Sequence, residues 1–413
     1  MLQFLEDGNN VDTVYLDFSK AFDKVDIGIL SHKLRDIGLT GNLGIFLHNF
    51  LSNREQHILA NGVKSTPSKV LSGVPQGTVL GPILFLIMIN DIDKNSSAEI
   101  SLFCDDTRIM KPIKTENDVE DLQEELEKLY IWETENNMKF NGKKFELLRF
   151  GKNSNLKEDT NYFTPGMDQI IEEKEVLRDL GVMMANDATF TSHVSTVCKK
   201  VNQKSGWIFR TFQCRETLFL KHLWKSLVQP HIDYCSQLYF PSKASDMERI
   251  ESLLKTFSKK IPALRNLSYW ERLKQLKLYS QERRMERYRI LYVWKIQKEL
   301  VPNCGLTFSS DNSRRGLECI IPVLKGPKGV QALREKSFQI HGAKLFNALP
   351  KNLRNSKVNN IDDFKSLLDK YLESIPDEPK VGDYIPSACD QVTMKPSNSL
   401  ICQTQKILRN RGS

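Results

Sequence analysis

The chain has 413 residues, 40% of them hydrophobic and 27% charged, with 59 Lys and Arg against 51 Asp and Glu for a formal net charge of +8. These proportions belong to a folded globular protein and exclude a low-complexity or collagen-like chain, while the mild basic surplus leans toward polyanionic partners. The longest apolar run, Val79 to Ile89, falls well short of the roughly 20 residues that cross a bilayer, so no membrane partner is expected.

From Thr13 the run "TVYLDFSKAFDKVD" opens as a β-branched and aromatic strand and then turns polar with helical spacing, which puts Asp17 at the strand end or in the turn after it. "DIGILSHKLRDIGLTGNLGIFLHNFLSNR" repeats apolar residues at helical intervals and breaks at Gly38 and Gly41, predicting two helices. "QHILANGVKSTPSKVLSGVPQG" reads as a hairpin around Asn61-Gly62 followed by a glycine-rich loop. "TVLGPILFLIMINDI" predicts a buried helix, and "AEISLFCDDTRIM" two short strands meeting at Asp105 and Asp106. "NDVEDLQEELEKLYIWETENNMKFN" is an amphipathic helix helped by acidic residues near its start. The order strand, helix, hairpin, helix, hairpin, helix predicts an α+β fold.

After "EVLRDLGVMM", near residue 184, the character changes. Apart from "SQLYFP" the chain to about Leu300 reads as helices, and from Lys259 to Leu300 twelve Lys and Arg face four Asp and Glu. There "YWERLKQLKLYSQERRMERYRILYVWKIQKEL" interleaves basic and aromatic residues. Such a pattern suits a face that follows a phosphate backbone, or an amphipathic helix pair with its aromatics in the core. Residues 301 to 375 are mixed, with one clear helix in "IDDFKSLLDKYLESI". From Pro376 no apolar period survives, and a disordered tail is expected. The eight cysteines show no close pairing and no Cys/His knuckle, which argues against zinc. Free thiols and a start without signal-peptide regions point to an intracellular chain, with nucleus and cytoplasm not distinguishable.

Two adjacent carboxylates in an apolar run need either solvent or cations, because burying an unneutralised carboxylate costs several kcal/mol. The first reading is a solvated turn. In the second, Asp17, Asp105 and Asp106 come together from neighbouring strand ends. They then hold two divalent ions, for which Mg2+ suits a site of a few carboxylates plus phosphate oxygens.

The order "YLDFSKAFDKVD", "SGVPQGTVLGPILFLIMIND", "FCDD", "NNMKFNGKK" and "DLGV" decides between them. It resembles the palm of reverse transcriptases, specifically those of non-LTR retrotransposons of the jockey and CR1 type, over about residues 12 to 185. The resemblance continues into "LWKSLVQPHIDYCSQLYF". It implies a palm with an antiparallel sheet and packed helices over 1–185, a helical thumb-like and basic region over 186–300, a mixed region over 301–375 and the tail over 376–413. It implies an RNA-directed DNA polymerase that uses an RNA template, a DNA primer, dNTPs and two Mg2+ ions. Asp17 and Asp105 are the implied ligands of both metals, and Asp106 the weaker one. Cys104 stands where the family usually has alanine, a tolerable change because the thiol is small and apolar.

Phe22 matches the aromatic that lies against the sugar C2′ of an incoming nucleotide. Gln76 and Gly77 match the loop that touches nucleotide or template. Lys144 aligns with a lysine that would neutralise the leaving pyrophosphate, with Lys143 beside it as the competing register. Because Asp17 stands near the amino terminus, the chain reads as an amino-terminally truncated element lacking most of the fingers. The second reading is a catalytically inactive relic that at most binds nucleic acid.

Overall fold

A computed structural model describes residues 1–151, 160–166, 169–309, 316–375, 377 and 400–401. The chain forms two units, one reaching to Leu177 and the other starting at Arg178. Among the described residues no helix is long and apolar enough to cross a membrane.

The first unit is built on a five-stranded sheet whose central strand, Asn10–Asp17, is hydrogen-bonded on both sides. Strand Asp106–Ile113 pairs with it on one flank and Glu146–Phe150 on the other, both antiparallel. Glu99–Phe103 lies outside the first, and the short Glu172–Glu173 joins the second in parallel. The central strand begins at Asn10 rather than Thr13, because Val11 and Val14 are both fully buried there. Asp12 sits among them, its carboxylate accepting from the Tyr162 hydroxyl at 2.8 Å and lying 3.6 Å from Arg149. Removing one partner from such a buried pair costs about 3–5 kcal/mol.

The predicted helices form, each with a local reason. Ile27–Asp36 starts where the Asp26 carboxylate accepts from Ile29 N–H at 3.0 Å. It ends before Gly38, whose φ of 87° an L side chain resists, and Gly41–Leu51 follows. Asn61 and Gly62, with φ of 50° and 81°, make the two-residue turn between Leu59–Ala60 and Val63–Lys64. Helix Glu116–Asn136 buries Val119, Leu122, Leu126 and Leu129 on one face, and Asp118 accepts from Lys114 and Thr115 N–H at its start. The helix expected to be buried, Leu80–Ile89, is so on one side only. Leu84, Phe85, Met88 and Ile89 enter the core while Ile83 and Leu86 stay about half exposed.

The second unit is mainly helical, with Thr191–Thr211, Ala244–Lys259, Tyr269–Leu276, Gln281–Gln297, Lys328–Lys336 and Ile361–Glu373 as its longer described elements. It holds two apolar clusters, one containing Val194, Trp224, Phe257 and Met285, the other Ile290, Trp294, Phe346 and Phe364. Helix Gln281–Gln297 serves both, with Met285 in the first and Ile290 and Trp294 in the second. Its arginines are structural. Arg283 and Arg289 are buried, Arg284 lies 2.6 Å from Asp233 and Arg287 2.5 Å from Asp369, and Arg289 donates to the carbonyls of Gln237 and Lys336. The aromatics pack too, with Trp294 stacked on Phe364 at 4.6 Å. The alternation of basic and aromatic residues there is therefore a core pattern. Lys259, Lys260, Arg265, Lys274 and Lys277 remain exposed.

The tail expected to be disordered from Pro376 lies outside the described residues except at Asp377, Leu400 and Ile401. Asp377 accepts from Ser280 N–H and Oγ at 2.6 and 2.7 Å, and Leu400 is fully buried.

Candidate active site

The register places Asp17 directly opposite Asp106 on adjacent antiparallel strands. Phe103 pairs with Asp106, so Cys104 and Asp105 are the two residues of the hairpin turn. The aspartate pair is thus divided, Asp105 in the turn and Asp106 opening the strand. Cys104 takes the left-handed position at φ 53° and packs against the first unit's core. Opposed like charges on neighbouring strands destabilise a sheet unless a cation lies between them.

A cation does reach them. Lys144 Nζ lies 2.5 Å from Asp17 Oδ2. The hydrogen bond and charge of Asp17, with the charges of Asp105 and Asp106 adding, hold the Lys144 ammonium above the usual lysine range. Its delivery follows from the backbone. Ser19 N–H donates to Lys139 O at 2.8 Å and Asn141 N–H to Asp17 O at 2.7 Å, and Phe18 stacks on Phe140 at 4.2 Å. One turn of 3-10 helix, Gly142–Lys144, then brings Lys144 rather than Lys143 to the carboxylate.

The glycine-rich loop is fastened to the short helix Ala21–Lys24 that follows Asp17. Val74 N–H donates to Phe22 O and Gly73 N–H to Val25 O, both at 2.8 Å. Ser72 Oγ donates to Asp23 O and Gln76 Nε2 to Asp23 Oδ1, also at 2.8 Å. Arg54 closes the other side, donating to Leu51 O at 2.7 Å, to Ser72 O at 3.2 Å and to Gly73 O. Phe22 is half-buried and stacks on Phe85, centroids 4.4 Å apart. Gln76 and Gly77 are exposed. The structure therefore brings Phe22, Gln76 and the loop glycines into one assembly, and Asp17, Asp105, Asp106 and Lys144 into another, joined through the four residues between Asp17 and Phe22.

The donor set fits a hard divalent cation, since the carboxylates of Asp17 and Asp106 at strand ends and of Asp105 in the turn supply only oxygen ligands. Among the described residues no group of three or more His, Cys, Asp or Glu side chains gathers closely enough to hold a metal ion; Asp17 is instead turned to Lys144. A cavity of about 380 Å³ between the helices Ile27–Asp36 and Gly41–Leu51 is lined by Leu34, Leu39, Ile45 and His48 and by none of these residues. Asp23 and Arg54 were not legible as site residues. Their roles depend on partners far along the chain, and a lone Asp or Arg in a polar run carries no signal of that.

Residues 6–184 match the family described as reverse transcriptase (RNA-dependent DNA polymerase). The RNA-directed DNA polymerase from mobile element jockey of Drosophila melanogaster is 24% identical over 267 residues, 61% of this chain and 28% of that protein. Its counterpart in Drosophila funebris is 24% identical over 278 residues, 63% of this chain and 29% of that protein. The probable RNA-directed DNA polymerase from transposon X-element of Drosophila melanogaster is 24% identical over 252 residues, 59% and 27%. The chain thus spans less than a third of the length of these relatives. Among solved structures, a telomerase from Candida tropicalis superposes with a TM-score of 0.38 at 11% identity, covering 89% of this chain and 51% of its own.

Proposed function

Taking residues 6–184 as a reverse-transcriptase domain like those of non-LTR mobile elements, we propose that this chain carries the palm of an RNA-directed DNA polymerase. The reaction is nucleotidyl transfer: a primer 3′-hydroxyl oxygen bonds to the α-phosphorus of a dNTP, the bond to pyrophosphate breaks, and the template is RNA. The observation that carries this reading is Asp17 opposite Asp106, with Asp105 in the adjoining turn and Lys144 on Asp17.

Mg2+ ions held by Asp17, Asp105 and Asp106 would supply charge neutralisation at the attacking and leaving oxygens. The chain's own groups do the rest. Phe22, backed by Phe85, walls the sugar side and leaves no room for a 2′-hydroxyl, the group that separates RNA from DNA precursors. Gln76 and Gly77, on the clamped loop, meet the nucleotide or the template. Lys144 is protonated and mobile enough, with a side chain 63% exposed, to move from Asp17 to the leaving pyrophosphate and neutralise it or donate a proton. The reading of an inactive relic is not favoured, since the match runs through every one of these motifs.

The test is primer extension on an RNA template with dNTPs and Mg2+, comparing the chain with its Asp105→Asn variant. Asn keeps the size and removes one negative oxygen. Extension is expected to fall by about a hundredfold or more, the scale of losing one charge-stabilising group. Equal extension by the two proteins would remove the carboxylate assignment.

A further inference from the structure

The hydrogen bond between Asp23 and Gln76 has a directional consequence. A carboxylate accepts only, so the Gln76 atom 2.8 Å from Asp23 Oδ1 has to be the amide nitrogen. The flipped amide would set two oxygens against each other. Asp23 cannot drift away to relieve this. Its carbonyl accepts from Ser72 Oγ, and Gly73 lies so near that a Cβ there would come within 2.8 Å of Asp23 Cα and O. The residue before it, Phe22, is pinned on Phe85. One helical turn thus holds both the aromatic wall and the partner of the exposed amide.

We propose that Asp23 is a positioning residue: it commits Gln76 Nε2 to the protein, so that Gln76 presents its oxygen to the ligand beside Phe22 and selects a hydrogen-bond donor there. This rests on the polymerase reading only in taking that ligand to be a dNTP or the template base paired with it.

Two measurements separate the two ideas. In 15N-edited spectra of the full chain, with the Gln76 amide assigned by its loss in Gln76→Glu, one amide proton is expected downfield in the parent and back in the free-amide range in Asp23→Ala. In primer extension, Asp23→Asn and Gln76→Glu are each expected to raise KM for dNTP about threefold to tenfold, the scale of one hydrogen bond, with kcat within about twofold and an unchanged Tm. The first frees the amide to flip, and the second sets two carboxylates together. Combining Asp23→Asn with Gln76→Glu exchanges the two groups, so that the new amide donates to the new carboxylate. A carboxylate oxygen again faces the ligand, and KM returns toward the parent value. A purely structural contact would not move KM apart from kcat and Tm. An amide signal indifferent to Asp23, unchanged KM in both single variants, or a double variant no better than the worse single one overturns the proposal. If the parent extends no primer, the polymerase reading falls, and the amide signal alone judges the orientation.

Discussion

Gly73 and Gly77 look alike in "SGVPQG", yet the fold asks different things of them. Both have positive φ, 85° and 78°. A Cβ at Gly73 would lie 2.8 Å from Asp23 Cα, Asp23 O and Phe22 O, whereas one at Gly77 meets nothing within 4 Å. Gly77→Ala should therefore cost only the left-handed strain, about 1–2 kcal/mol. Gly73→Ala must in addition push the loop off the Phe22 turn, so it should lower Tm further and depress dNTP incorporation more. Thermal unfolding and extension rates of the two variants check this, and equal effects would show that the loop is not seated on that turn. Phe22 sits at the same junction. Phe22→Val should admit ribonucleotides, with discrimination read as the ratio of kcat/KM for dNTP over NTP, each tenfold drop standing for about 1.4 kcal/mol of lost penalty. An unchanged ratio would return Phe22 to ordinary packing against Phe85.

Elements whose geometry is dictated by neighbours in sequence were legible: the Asn61-Gly62 turn, the helix breaks at Gly38 and Gly41, the amphipathic face of Glu116–Asn136, and Asp17 at a strand end. Elements whose character depends on distant partners were not. The division of Asp105 from Asp106 is set by the register of Phe103 against Asp106, which no periodicity fixes to one residue. Helix Gln281–Gln297 is the larger case. Its arginines read either as a phosphate-following face or as the solvated face of an amphipathic helix with its aromatics in the core; the aromatics are in the core, but the arginines pair with Asp233 and Asp369, which are remote in sequence. Arg284→Ala leaves Asp233 partly buried without that guanidinium and should cost about 1–3 kcal/mol, less than a fully buried pair because both groups keep some solvent. A urea midpoint equal to the parent's would contradict this. On the proposed polymerase reading, with RNA following the exposed Lys259 and Lys260, removing both should shallow the salt dependence of RNA affinity by about one counterion each, while Arg284→Ala should leave it unchanged.

On the scale of the molecule, burial holds two histidines and two glutamates of the second unit toward their neutral forms, and the two kinds oppose each other as pH changes. Desolvation lowers His193 to about 4, with Lys200 adding, and holds His341 well below its usual value, with Arg289 adding. Desolvation raises Glu251 to about 7, against the hydrogen bond from Tyr269 and with the charge of Asp377 adding, and it raises Glu282, with Glu286 and Glu251 adding. A depressed imidazole gives stability that is present above its unfolded value near 6.5 and lost as pH falls through its folded one. A raised carboxyl gives stability that is present below its unfolded value near 4.5 and lost as pH rises through its folded one. Between pH 4.5 and 6.5 the two slopes oppose, and the curve should be shallow. From pH 6.5 to 8.5 the imidazoles are neutral in both states and only the carboxyl slope is left, so stability should fall. For Glu251 the rise from 4.5 to about 7 corresponds to on the order of 3 kcal/mol at 1.36 kcal/mol per pH unit. Four of the five tryptophans, Trp207, Trp224, Trp270 and Trp294, lie in this unit, so tryptophan fluorescence in urea reports on it. The midpoint should be lower at pH 8.5 than at pH 6.5, and Glu251→Gln, which cannot ionise, should flatten that fall while losing some stability at pH 6.5. A midpoint that rises between these two values would mean that Glu251 and Glu282 are already ionised in the folded unit.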